Sequence, residues 1–213
     1  MIDILYEDEF YFIINKPAGK LVIPAPGKSD NLTSDIDKYL ELKGLQYRAH
    51  PCHRLDGDTS GAIIFAKGKS SQKLMMELFR KHEVQKRYIA VVNGLLRKKN
   101  DEIRYRIEGK EALTVYSLIK SSPKCSLVEI NLLTGRTNQI RIHFKMIGHS
   151  LIGDTKFEIR KNLLVKFKRT ALHSSFIGFT HPYTGQAITV TAQIPDDMGK
   201  LISSELGLAE FKA

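Results

Sequence analysis

The feature that most constrains the fold is a succession of short apolar segments, punctuated by turn residues, that never settles into a regular alternation of strand and helix. Segments 2–5, 10–14, 62–66, 87–92, 114–120, 126–133, 172–180 and 187–194 read as strands. Helical spacing appears in only a few places. Leu32, Ile36, Tyr39 and Leu40 share one face of a helix expected from near Thr33 to Lys43, with Gly44 as its stop. Leu74, Met75, Leu78, Phe79 and His82 recur at the same spacing behind Ser70 or Ser71, either of which can cap a helix. A short helix is expected over 196–206. The stretch from Thr137 to Phe144 is ambiguous, because Ile140, Ile142 and Phe144 alternate while Ile140, Phe144 and Ile147 fit a helix ended by Gly148; the helical reading is adopted. His181-Pro182-Tyr183-Thr184-Gly185 reads as a hairpin loop. Many strands without a strand-helix rhythm predict an α+β fold, a largely antiparallel sheet with flanking helices, rather than a doubly wound one.

With 42% hydrophobic residues in 213, the chain has enough apolar surface for a core, and no linker, repeat or low-complexity stretch divides it. It is therefore read as a single catalytic unit, 1–213. No apolar run approaches the ~20 residues of a membrane-spanning helix. Asp3, Glu7, Asp8 and Glu9 stand where a signal peptide would be basic and then apolar, so a cytoplasmic location is expected. Cys52 and Cys125 are far apart and outside any CxxC pair, so both are read as reduced, with no disulfide-linked partner.

The net charge of +10 is unevenly placed. Residues 80–99 hold seven Lys or Arg against one acid, and residues 156–169 hold six against one, so these two segments carry +6 and +5 and the rest of the chain −1. Charge concentrated in this way suits a polyanion, because each cation that neutralises a phosphate releases a counterion. Nucleic acid is the natural partner; solvated charged faces are the bland alternative.

Three polar groups could do chemistry. His53-Arg54-Leu55-Asp56-Gly57-Asp58-Thr59-Ser60-Gly61 sets a carboxylate two residues from an arginine, an arrangement that suits a nucleophile or base kept ionised, although on spacing alone a plain turn outweighs an active site. In Gly135-Arg136-Thr137-Asn138-Gln139-Ile140-Arg141-Ile142-His143, Arg141 lies among apolar neighbours and needs a carboxylate or phosphate to answer it. In Lys86-Arg87-Tyr88, an aromatic inside a basic segment can stack on a base, or can simply be a half-buried strand residue. His50 and His53 are three apart without an HExxH pattern, the other histidines are scattered, and neither GxGxxG nor GxxxxGK[ST] occurs. No metal, NAD or ATP site is expected.

Taken in order along the chain, these groups resemble the RluA family of pseudouridine synthases. The resemblance rests on His53-Arg54-Leu55-Asp56 with Thr59-Ser60-Gly61, on Asn15-Lys16-Pro17-Ala18-Gly19, on Lys86 with Tyr88-Ile89-Ala90-Val91-Val92, and on Thr134 to His143. It continues through Gly148-His149, Gly153-Asp154, Leu172-His173-Ser174 and His181-Pro182 with Thr184-Gly185. Asn138 departs from the family's usual His, and Gly57-Asp58 fills a variable spot with an additional acid.

The resemblance implies a pseudouridine synthase fold with a central catalytic cleft and a reaction without a cofactor. The S4-type domain that many relatives carry at the N-terminus is not expected here, because the catalytic pattern begins at the first residues, and a monomer is expected. It implies an isomerase acting on uridine in ribosomal large-subunit RNA or transfer RNA, at an open site such as a stem-loop. Asp56 would be the carboxylate at the sugar, Arg141 the cation that keeps it ionised, and Tyr88 the ring stacked on the target base. Arg54 would fill the space a flipped nucleotide leaves, with His53, Arg136, Gln139 and Ile140 as further substrate-binding positions. Two other readings stay open: a non-catalytic RNA-binding protein that keeps the fold, and a metal-dependent nuclease built on His50, His53, Asp56 and Asp58.

Overall fold

Two strands explain why the apolar runs at 10–14 and 62–66 lack a clean period of two. β2 (Tyr11–Lys16) and β4 (Ser60–Lys67) pair antiparallel, with Ile13 opposite Ile64, and both are buried along nearly their whole length. A strand covered on both faces has no polar side to display. β1 (Ile4–Glu7) pairs with β2, and β3 (Ala49–Pro51) with β4. The structure, a computed structural model, describes residues 2–27, 30–158, 165–209 and 211.

These strands belong to the first of two compact units, Met1–Val84 with Phe176–Ala192. Its core joins Tyr11, Ile13, Ile64, Met75, Ile177 and Phe179; each such side chain withdrawn from water contributes about 1.5–3 kcal/mol. Helix α1 (Leu32–Leu42) turns Ile36 and Leu40 into the protein and begins one residue earlier than the spacing predicts, because Asn31 Oδ1 accepts the Ser34 N–H at 3.0 Å. Helix α2 (Lys69–Arg80) is capped by neither Ser70 nor Ser71. Gly68, at φ 101°, turns the chain straight out of β4, so the helix starts ahead of the serines and Ser71 is buried inside it.

The second unit is Gln85–Ser175 with Gln193–Ala213. β5 (Gln85–Asn93) pairs with β8 (Cys125–Leu132), β8 with β7 (Thr114–Ser121), and β7 with β6 (Asn100–Ile103), all antiparallel. The ambiguous stretch is helical, as α3 (Gln139–Met146). β9 (Leu172–Thr180) is divided, residues 172–175 falling in this unit and 176–180 in the first, where they pair with β10 (Ala187–Thr191). The closing helix α4 (Asp196–Leu206) sets Met198, Leu201 and Ile202 against Ile89, Val91 and Leu127. Every ladder described here is antiparallel, and with four helices among the described residues the class is α+β.

Candidate active site

In the first unit, the loop that carries Asp56 is fastened by its backbone. The Thr59 N–H donates to Asp56 O at 3.1 Å and closes a four-residue turn over Gly57 and Asp58. The Gly57 carbonyl accepts from the Gly19 N–H at 2.9 Å and from Lys16 Nζ at 2.8 Å. Lys16, the last residue of β2, is fully buried, and its ammonium also donates to Pro17 O at 2.9 Å and Lys20 O at 2.6 Å. A cation answered by carbonyl oxygens thus ties two motifs together that lie 41 residues apart in the chain. His53 secures the other side: its Nε2 accepts the Ile64 N–H at 3.0 Å and its ring leans on Phe79 at 4.9 Å. Leu55, Thr59 and Ser60 are buried, Asp56 is half-buried, and Arg54 and Asp58 are exposed. Asp56 is therefore presented from a turn whose flanks cannot move freely.

In the second unit, Arg141 has its charge answered by Asp154. Nε donates to Asp154 Oδ2 at 2.6 Å and Nη2 to Oδ1 at 2.7 Å, while Nη1 donates to Asn138 Oδ1 at 2.9 Å. The guanidinium also lies 4.9 Å over the Phe157 ring. Asp154 is wholly buried, and Oδ1 accepts the N–H groups of Lys156 and Phe157 at 3.1 and 3.0 Å. An arginine in an apolar stretch requires an anionic neighbour; which carboxylate forks onto it becomes visible only in the fold.

Asn138 departs from ordinary capping. It occupies the N-cap position of α3 at φ 54°, in the left-handed region, and its side chain makes no capping bond to the helix. Its amide oxygen serves Arg141 instead. Gln139 is buried and clamps the helix start: Oε1 accepts from Thr134 Oγ1 and the Arg136 N–H, and Nε2 donates to Leu113 O and Thr114 Oγ1. Ile140 is buried beside it, whereas Arg136 is exposed, with Nε donating to Glu111 O at 3.0 Å.

Tyr88 lies on β5 opposite Ile130, which in turn faces Tyr116 on β7, so the three form one row across the sheet. Tyr116 packs against Phe144 of α3 at 5.4 Å between ring centroids. Lys86 precedes Tyr88 by two residues and so projects from the same face. Burial holds its ammonium below the ordinary lysine range. Its Nζ would stand 3.7 Å from a Cβ placed on Gly135.

Lys16 and Asp154 are the two groups whose roles sequence reasoning leaves unassigned. A lysine closing an otherwise apolar run is a usable signal for the first; the second stands in Gly153-Asp154, a motif of the resemblance that names no partner, and only Arg141's need for an acid points to its role. Among the described residues, no three His, Cys, Asp or Glu side chains gather into a set that could hold a metal ion, and no helix is long and apolar enough to cross a membrane. Of the second basic segment, Arg160 and Lys161 lie outside the described residues.

A sequence model of the RNA pseudouridylate synthase family matches residues 10–146. The chain is 36% identical over 224 residues to the uncharacterized RNA pseudouridine synthase YlyB of Bacillus subtilis, covering 95% of this chain and 72% of that protein. It is 36% identical over 223 residues to ribosomal large subunit pseudouridine synthase D of Zymomonas mobilis, covering 92% and 70%. Among solved structures, human RNA pseudouridylate synthase domain containing 4 superposes with a TM-score of 0.78 at 21% identity, over 94% of this chain and 91% of that one. The related human domain containing 1 gives 0.73 at 22% identity, over 92% and 84%, and these two likenesses show the fold. On the extent of the family match and the 36% identity to relatives of which the chain covers 70–72%, it belongs to the RNA pseudouridylate synthases, isomerases that turn uridine in RNA into pseudouridine.

Proposed function

We propose that the substrate is a uridine in an open element of ribosomal large-subunit RNA or transfer RNA, and that Asp56, Arg141 and Tyr88 carry the reaction. The observation that carries this reading is the family match over residues 10–146, a span that contains all three. The name of the Zymomonas mobilis relative, which refers to the large ribosomal subunit, supports the choice of RNA.

The isomerisation breaks the bond between uracil N1 and ribose C1′, turns the base, and joins C5 to C1′. C5 loses a proton and N1 gains one, so atoms and electrons balance without an oxidant or a phosphate donor. Asp56 supplies the carboxylate that acts at the sugar, from a turn pinned by Lys16 and Gly19. A pinned nucleophile or base loses little freedom on reaching its reactive position, which lowers the barrier. Arg141, locked by Asp154 and Asn138, is a cation of fixed direction. Tyr88 stacks on the base; Arg54, exposed beside Asp56, enters the space left when the nucleotide is extruded. Extrusion costs a few kcal/mol, least in a loop that is already unpaired.

Two measurements test the reading. Purified Asp56→Asn should make no pseudouridine on ribosomal or transfer RNA while binding it within about twofold of the parent; conversion by that variant overturns the assignment. Deleting the gene and mapping pseudouridines across both RNA classes should reveal a position that disappears, and unchanged maps of both would overturn the choice of substrate.

A further inference from the structure

Two groups of cations in the second unit stand at opposite ends of its strands. Lys86, Arg136 and Arg141 stand at the end where β5 begins and α3 starts. The other group stands where β5 ends and the chain turns from β7 into β8. There the Gly94 N–H donates to Lys124 O at 2.8 Å, and the Leu118 N–H to Lys99 O at 2.7 Å, so the segment 94–99 lies against the strands' ends. Ser126 fastens it, with Oγ donating to Gly94 O at 2.8 Å and accepting the Leu96 N–H at 2.9 Å.

This arrangement exposes Arg97, Lys98, Lys99, Lys120 and Lys124 at one end of the unit. Lys98 is paired with Asp101 at 2.8 Å and Lys124 with Glu205 at 3.4 Å. Arg97, Lys99 and Lys120 have no ion-pair partner among the described residues. Elsewhere in the unit the exposed arginines Arg104 and Arg106 do face carboxylates, Glu102 and Glu111. Like charges gathered without counter-charge repel one another, and a polyanion relieves that repulsion. The patch is also remote from the reactive end: Tyr88 and Asn93 are five residues apart on β5, about 16 Å of extended chain.

We propose that this patch is a second RNA-binding surface, which holds the sugar-phosphate backbone of the substrate away from the target nucleotide and without regard to base sequence. The proposal rests on the RNA-substrate reading above and adds where a long RNA is gripped. Contacts of this kind are phosphate contacts, so they set affinity and its salt dependence rather than the chemistry at uridine.

The test compares the parent with the triple variant Arg97→Ala, Lys99→Ala, Lys120→Ala on two RNAs, a ribosomal RNA fragment of a few hundred nucleotides and a short stem-loop, with dissociation constants measured from low to moderate salt. For the long RNA the slope of log affinity against log salt should flatten by about two, since each lost phosphate contact removes ~0.7–0.9, and affinity at low salt should fall at least tenfold. For the stem-loop the change should stay below about threefold. An unchanged slope on the long RNA overturns the proposal and leaves the patch to an acidic protein surface; equal losses on both RNAs overturn it too, by making the effect general attraction. The charge reversal Lys99→Glu, Lys120→Glu should weaken the long RNA further, which guards against a folding defect in the triple variant. Binding is read without turnover, so a parent that binds RNA yet converts no uridine would refute the functional reading and leave this one standing.

Discussion

Arg141 and Asp154 form a two-pronged ion pair, Nε to Oδ2 at 2.6 Å and Nη2 to Oδ1 at 2.7 Å, with the carboxylate wholly buried and the guanidinium side chain 12% exposed. Such a pair contributes little net stability, because removing both charges from water offsets most of their attraction, but it fixes direction. Asp154→Asn retains the shape and removes the charge. It should lower the unfolding free energy by about 3–5 kcal/mol, the usual consequence of breaking a buried pair on one side. A urea midpoint equal to the parent's would show that Asp154 does not hold the cation. The double change Arg141→Met, Asp154→Leu should regain much of the lost stability while remaining inactive.

Asn138 offers a way to separate backbone from side chain. Asn138→Gly keeps the left-handed conformation at φ 54° and loses the oxygen that accepts from Arg141, whereas Asn138→Asp keeps an acceptor there. Turnover should fall roughly tenfold in the glycine variant, about the worth of one charged hydrogen bond, and stay near the parent's in the aspartate variant. Equal turnover in Asn138→Gly and the parent would reduce Asn138 to a backbone role.

Lys16→Met should free the Asp56 turn without touching substrate. The variant removes a donor shared by the carbonyls of Pro17, Lys20 and Gly57. With the carbonyls of Pro17 and Lys20 losing this donor and Gly57 keeping only the Gly19 N–H, about 1–3 kcal/mol of stability should be lost, and kcat should drop more than RNA affinity. Loss of affinity with kcat intact would contradict the clamp.

His143 is buried, with Nε2 3.1 Å from the Tyr105 carbonyl. Burial pushes its pKa below the ordinary 6.5, outweighing the opposite pull of that carbonyl. In the unfolded chain the imidazole takes up a proton as pH falls through about 6.5; in the folded protein it does so only at lower pH. The unfolded state therefore binds more protons in this window, and stability is lost as pH drops from 7 towards 5. Asp8 and Asp197, both held below the usual 3.8, act only under more acidic conditions. Glu158, raised by burial, works in the opposite sense but is common to both proteins compared. Urea midpoints at pH 7, 6 and 5 should fall less steeply for His143→Gln than for the parent; parallel slopes would dismiss His143 as the source.

Strands and helices with an unbroken pattern were readable from the chain: β9 over 172–180 and α4 over 196–206 coincide with expectation. β3, Ala-His-Pro at 49–51, and β6, Asn-Asp-Glu-Ile at 100–103, were not. Such short, polar segments carry no alternation, and become strands only because β4 and β7 offer them an edge to pair with. The start of α2 differs from expectation for a similar reason: two serines suggest a cap, but the turn at Gly68 decides where the helix begins.

The family and a set of candidate reactive residues are legible in the chain alone: an aspartate two residues from an arginine in a turn, a tyrosine in a basic strand, an arginine in an apolar helix. Residue type and spacing are local properties, and they survive without coordinates. Which groups support those candidates is visible only once the chain has folded. Asp154 reaches Arg141 by way of Gly153, at φ +73°, where a Cβ would come within 2.0 Å of the Arg169 carbonyl oxygen. Lys16 meets Gly57 only when β2 and β4 pair. Both partnerships join residues through close packing of distant segments, and no local pattern along the chain specifies such an approach.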